Sequence, residues 1–189
     1  MRVVATSGRP LGWSEPSARV WPVRAIVAES GALALMRDGA RVLTEYVQDK
    51  ATRRQNAQRL QAVAQQVLAR VPGAGCRVPG AMLAQDSAGR ATDIAIDHRE
   101  FTRLPEGAIA HGVALMQDAG MNATVSSIHN NGWFGEHRKC SAAQWMLRRL
   151  FGRDSRLRST LNRALPNPRT APLGVQEHCR GAFGRRKCV

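Results

Sequence analysis

The residues best suited to chemistry lie between positions 124 and 139, in TVSSIHNNGWFGEHRK. A β-prone segment there ends in a Gly-rich turn. Lys139 follows, just before a helix-like run that starts at Ser141 and ends near Phe151. A lysine in that place can aim its ammonium into a pocket at the end of a sheet, where a compact charge suits a phosphate. Other polar groups carry less chemistry. Asp93 and Asp97 flank an alternating strand and read as solvent-facing strand ends, not as a carboxylate pair for acid–base work. His98, His111, His129 and His137 lack helix-face spacing for a metal. Cys76, Cys140, Cys179 and Cys188 form no C-x-x-C pair, so they read as unpaired thiols, and no metal ligand is assigned.

These groups must be positioned by a chain of 189 residues, enough for one ordinary domain or two small ones. Hydrophobic residues make up 43%, which can supply a core, yet no apolar run approaches the roughly 18 residues of a membrane span. With no basic-then-apolar leader, the chain reads as cytoplasmic with no membrane contact. The net charge of +14 suggests a polyanion partner, but residues 153–189 alone hold 9 basic and 2 acidic side chains, half of the excess. Aromatics amount to 5% and do not alternate with basic residues, which argues against a base-stacking nucleic-acid surface.

The pattern along the chain is that of an α/β protein. Residues 2–5 and 25–28 read as buried strands, joined through the turn Ser7-Gly8-Arg9-Pro10 and a helix into a parallel pair. Asp38-Gly39 marks a hairpin. Residues 52–71 form the longest expected helix, with Thr52 and Gln55 as a capping box and Ala57, Leu60, Ala64, Val67, Leu68 and Val71 as its apolar stripe. Pro72-Gly73 stops it, and residues 75–80 form a loop. Strands are expected at 82–85 and 92–97, around Ser87-Ala88-Gly89. A helix opens at Pro105 with Ile109, Val113 and Met116 inward and Gly120 as its stop. Residues 122–128 are β-like and 141–151 helical. The last 37 residues scatter Arg, Pro and Gly without period, a composition that predicts disorder.

Four blocks in order carry a family resemblance. VVATSGRP ends a strand in a hydroxyl residue before Gly-Arg-Pro. AIVAESGAL is a core strand whose usual ending is closer to E-N-G-A, with Ser30 where Asn is expected. ATDIAIDH looks like a strand of a cap, and SSIHNNGWFGEHRK like the return to the core. Together they resemble the haloacid-dehalogenase-like (HAD) hydrolases, in particular the capped sugar phosphatases, over roughly residues 1–154. The resemblance implies a partial Rossmann-like core at 1–44 and 132–152, an inserted α/β cap at 45–131, and a basic tail at 153–189. It implies Mg²⁺-dependent hydrolysis of a small phosphorylated sugar. It makes Ser7 the hydroxyl donor to the phosphoryl group, with Thr6 as the alternative, and Lys139 the electrostatic partner. It places Arg9, Asn130, Asn131 and Trp133 at the substrate. Arg9 can equally hold the turn, and the other three can equally serve as an Asn-Gly turn and a buried anchor.

The sequence departs from that family at both catalytic ends. No D-x-D occurs anywhere, so the nucleophilic aspartate and its acid–base neighbour are absent, and no G-D-x-x-x-D follows the last helix, so the magnesium carboxylates are absent too. The expectation is a chain truncated at its start and shifted in frame near Arg153, inactive as written. Its half-sheet would then have open edges and one bare face. Two alternatives stand beside it: a basic protein that binds a polyanion or nucleic acid through the Arg-rich tail, and complementation by a separate polypeptide that supplies the missing strands. The oligomeric state is left open.

Overall fold

Residues 4–46 hold one four-stranded sheet. The structure, a computed structural model, describes residues 3–71 and 80–151. The expected loop at 75–79 and the basic, disorder-prone tail from 153 lie outside the described residues. Strands β1 (Val4–Thr6), β2 (Ala25–Ala28), β3 (Leu33–Asp38) and β4 (Arg41–Tyr46) stand in that order. β1 and β2 are parallel, and α1 (Leu11–Val20) supplies the crossover between them. β3 returns antiparallel to β2. β4 returns against β3 through a tight hairpin in which Asp38 faces Arg41 and Gly39 takes φ +59°. A left-handed φ at that position is why Asp-Gly reads as a hairpin.

Period-two alternation divides the strand side chains between two cores. Ile26, Ala28, Leu33 and Leu35 pack with Ala18 of α1 on one face. Ala25, Val27, Ala34 and Met36 pack on the other with Ala142 and Met146 of α4 (Lys139–Phe151). The bare face expected from the sequence is therefore covered, because Ala142 and Met146 are four apart and share one stripe of α4. Arg37 on β3 closes the far end of α1. Its guanidinium donates to the carbonyls of Ala18, Arg19 and Trp21 at 2.6–3.2 Å, satisfying groups that a helix end leaves open.

The second sheet is antiparallel throughout, in the order β5 (Met82–Leu83), β6 (Asp93–Asp97), β8 (His129–Trp133), β7 (Asn122–Val125). Helices α2 (Lys50–Arg70) and α3 (Glu106–Asp118) cover one face, where Leu60, Val63, Val67, Ile109 and Met116 meet Ile94 and Ile96. α2 starts two residues earlier than its sequence suggests. Asp49 is the N-cap and accepts the Thr52 N–H at 2.9 Å and the Thr52 hydroxyl at 2.7 Å, so Thr52 donates to the cap and is not the cap itself. Its buried stripe shifts accordingly. Asn56 and Val63 are inside, while Ala57 is exposed. α3 ends as expected at Gly120, φ +78°, but Gly112 and Leu115 share its buried face with Ile109 and Met116, and Val113 is only half-buried.

Candidate functional site

Parallel strands point their carboxyl ends the same way, and in open α/β sheets that edge is where ligands bind. Ser7 directly follows β1. Its N–H donates to Val27 O at 2.8 Å, which extends the ladder by one step. Its Oγ accepts the Arg9 N–H at 3.0 Å, a local turn that leaves its own proton uncommitted among the described residues. Thr6 lies one residue earlier within β1 and is exposed. Glu29, Ser30 and Gly31 directly follow β2, and all three take left-handed φ values of +45°, +56° and +103°. A Cβ on Gly31 would sit 2.5 Å from the Arg138 carbonyl carbon and 2.9 Å from the Lys139 nitrogen. Only glycine lets this turn seat against the first residue of α4. Ser7, the 29–31 turn and Lys139 therefore share one edge of the sheet, with α4 packed on β1, β2 and the turn. Lys139 is half-buried and opens the helix itself, two residues before the Ser141 start that the sequence suggests.

The left-handed position at Ser30 explains a residue preference. A serine at φ +56°, ψ +18° is strained, and Asn tolerates that region better than most residues with a Cβ. Ser30→Asn is expected to stabilise the chain by about 0.5–1 kcal/mol, read as an upward shift of the urea midpoint at unchanged m-value. A neutral or negative shift would mean that the turn is not strained at this residue.

Glu29 ties this turn to the second sheet. It is fully buried. It accepts the N–H of Leu11 at 2.8 Å, of Ala91 at 2.9 Å and of Thr92 at 2.7 Å, and the Thr92 hydroxyl at 2.5 Å. Arg90 makes a second tie. Its guanidinium bonds Asp93 at 2.9 Å and Asp86 at 3.0 Å, and donates to Gly8 O at 3.3 Å in the turn that follows β1. Burial works against the charge on Arg90, but Asp93 and Asp86 outweigh it and hold its pKa above the usual value. Asp93 is pushed up to about 7, chiefly by burial and further by the nearby Glu29, with Arg90 pulling the other way. Its second carboxyl oxygen has no hydrogen-bond partner among the described residues. Gly12 and Gly89 bring the backbones of α1 and the second sheet's turn together, since a Cβ on Gly12 would lie 3.2 Å from Gly89 Cα. A third tie spans the two chain crossings between the sheets. Gln48 donates to Phe134 O at 2.9 Å and accepts from Asn56, while Arg59 stacks 3.7 Å over the Phe134 ring.

The sequence-derived site residues are thus divided. Ser7 and Lys139 both lie toward the carboxyl edge of the first sheet. Arg9 borders the same turn, where it pairs with Asp86 at 3.6 Å and lies over Trp13. Asn131 is half-buried on one face of β8. Asn130 points to the opposite, helix-covered face, where it is 1% exposed and its amide donates to Ile109 O at 3.1 Å. Trp133 is buried, and its indole N–H donates to His137 O at 3.1 Å, the geometry of an anchor. Asp93 and Asp97 do not face solvent, as their strand-end positions suggest. Both are buried, and Asp97 accepts the N–H groups of Arg99, Glu100 and Phe101 to fold the loop after β6. His129, left unassigned in the sequence, pairs with Glu100 at 2.9 Å.

Mg²⁺, which the sequence resemblance implies, does not fit the groups among the described residues. Among the described residues no three of His, Cys, Asp and Glu come together as a metal site. The one carboxylate at the strand edge, Glu29, already holds four protein donors. No helix among the described residues is long and apolar enough to cross a membrane.

No protein-family model matches the chain, and no curated protein matches it. Solved structures do. The C-terminal domain of trehalose-6-phosphate phosphatase from Candida albicans superposes with a TM-score of 0.55 at 10% identity, over 82% of this chain and 50% of that one. The C-terminal domain of the trehalose synthase regulatory protein from the same yeast gives 0.51 at 15% identity, over 77% and 48%. A sucrose-phosphatase from Synechocystis, solved with sucrose and phosphate, gives 0.51 at 12% identity, over 79% and 57%. The chain spans about half the length of the structures it matches. The chain has an α/β fold similar to that of these phosphatase structures.

Proposed function

We propose that this chain binds a small phosphorylated sugar at the carboxyl edge of β1 and β2, as an HAD-type phosphohydrolase does. One observation carries the reading: Ser7, the 29–31 turn and Lys139 share that edge. The Ser7 hydroxyl donates to a phosphoryl oxygen, and the Lys139 ammonium offsets the charge of the ester. The second sheet with α2 and α3, close to the cap span of 45–131, selects the sugar. The names of the similar structures, trehalose-6-phosphate phosphatase and sucrose-phosphatase, support this substrate class. Arg9 and Asn131 keep polar ends for the ligand, whereas Asn130 and Trp133 act through packing. The nucleophilic aspartate and the magnesium carboxylates are not among these 189 residues. Recognition without turnover is therefore the activity expected of them.

Calorimetric titration with glucose 6-phosphate tests the reading. Lys139→Gln is expected to weaken binding about tenfold or more and Ser7→Ala about threefold to tenfold, in line with charge-assisted and neutral hydrogen bonds to an anion. Unchanged affinity in both variants would remove the strand edge as the phosphate site. Release of inorganic phosphate by the purified chain in Mg²⁺ would contradict recognition without turnover.

A further inference from the structure

The start of α2 carries charge in an unfavourable place. Lys50, Arg53 and Arg54 occupy its first turns, with no acid among its first-turn residues. The positive end of the helix dipole repels cations there, and like charges three and four residues apart repel each other. Asp49 is committed to capping through Thr52, and Glu29, the acid that the lining residue Ala91 bonds, is filled by its four donors. No ion pair among the described residues neutralises the three cations.

They line a cavity. Lys50, Arg53, Arg54, Ala57 and Ala91 border a shallow depression of about 460 Å³ that is broadly open to solvent, with no acidic residue in its wall among the described residues. Arg53 is held in place by stacking 3.7 Å over the Tyr46 ring, and its Nε, buried, has no hydrogen-bond partner. A guanidinium held against a ring is preorganised for an anion at its remaining donors. The cavity also adjoins the phosphate edge. Ala91 donates to Glu29, and Tyr46 pairs with Leu33, two residues beyond Gly31.

We infer that this cavity is a second anion subsite, and that the ligand is a phosphorylated sugar bearing another anionic group, a carboxylate or a second phosphate. This rests on the phosphate edge proposed above for its first anchor. The second group would sit between Arg53, Arg54 and Lys50, where it relieves both repulsions at once.

Matched pairs test it by calorimetry: glucose 6-phosphate against 6-phosphogluconate, and fructose 6-phosphate against fructose 1,6-bisphosphate. The doubly anionic member of at least one pair is expected to bind ten times tighter or more. The double variant Arg53→Gln/Arg54→Gln should erase that preference and leave affinity for the singly anionic member within about twofold. The two pairs separate a carboxylate from a phosphate as the second group. A parallel titration with inorganic phosphate follows the Arg53 Nε–H signal by NMR, which reports this cavity directly, and thermal melts confirm that the variants fold. Equal affinities within both pairs overturn the subsite and leave the phosphate edge standing. Loss of the preference in the double variant, with no effect from Ser7→Ala or Lys139→Gln, keeps the subsite and overturns the edge. No binding of any compound, with an Arg53 signal that does not move, overturns both.

Discussion

Glu29→Ala is expected to destabilise the chain by about 3–5 kcal/mol, the range for breaking one partner out of a buried charged network. The carboxylate is fully buried and serves four donors. Three of them are backbone N–H groups, of Leu11, Ala91 and Thr92, and none has a second protein acceptor among the described residues. Truncation strands the buried Thr92 groups and leaves a void at the contact of the two sheets. Glu29→Gln should cost about half as much, since one oxygen remains while the new NH₂ faces donors. Thr92→Val removes a single donor and should cost about 1–1.5 kcal/mol. Urea unfolding measures all three. Hydrogen exchange adds a local readout, in which the Ala91 and Thr92 amides lose protection in Glu29→Ala beyond the global change. A loss below about 1 kcal/mol, with those amides still protected, would show that Glu29 is not the tie between the sheets.

The main elements were legible because their signals are local. Alternation in AIVA and LALM, the Asp-Gly hairpin and Gly120 behind α3 each act within a few residues. The start of α2 was misplaced because Thr52-x-x-Gln and Asp49 are both acceptable caps, and only the backbone path into the helix selects Asp49. The site was legible in part. Ser7 and Lys139 stand at ends of elements, where sequence order already implies a shared edge. Glu29 and Arg90 were not, because their roles depend on partners 62 and 82 residues away in sequence, Ala91 and Gly8. Asp93 and Asp97 show the same limit from the other side. A strand-end aspartate reads as solvated until the structure supplies the guanidinium or the loop amides that bury it. The pair Asn130 and Asn131 adds a simpler case: adjacent residues on a strand face opposite ways, and the sequence does not say which face the helices cover.

The tie through Arg90 also makes stability depend on pH, in the direction opposite to the usual acid. Asp93 has a folded-state pKa of about 7 against an ordinary carboxyl value of 3.8. The folded chain therefore holds a proton on Asp93 between about pH 4 and 7 that the unfolded chain has released. The contribution of this group is fully present below the unfolded pKa and is lost as pH rises through the folded one. Between pH 5 and pH 8 the loss is on the order of 2–3 kcal/mol. The physical source is burial: ionisation leaves a carboxylate with one unpartnered oxygen close to Glu29, and Arg90 is shared with Asp86. Asp93→Asn keeps the shape of the neutral acid and cannot ionise. Its stability should fall less than that of the parent chain from pH 5 to pH 8, by that same amount, and the two curves should diverge most steeply between about pH 5 and pH 6 and run level above about pH 8. The comparison cancels every other titrating group, including carboxylates that lose stability toward low pH. Urea titrations of both proteins at half-unit intervals measure it. Parallel curves would mean that Asp93 stays ionised throughout, paired well enough by Arg90 to offset its burial. Divergence would mean that the cost of burying an ionised Asp93 exceeds its attraction to Arg90, so that the contact between the two sheets weakens as the pH rises toward 7.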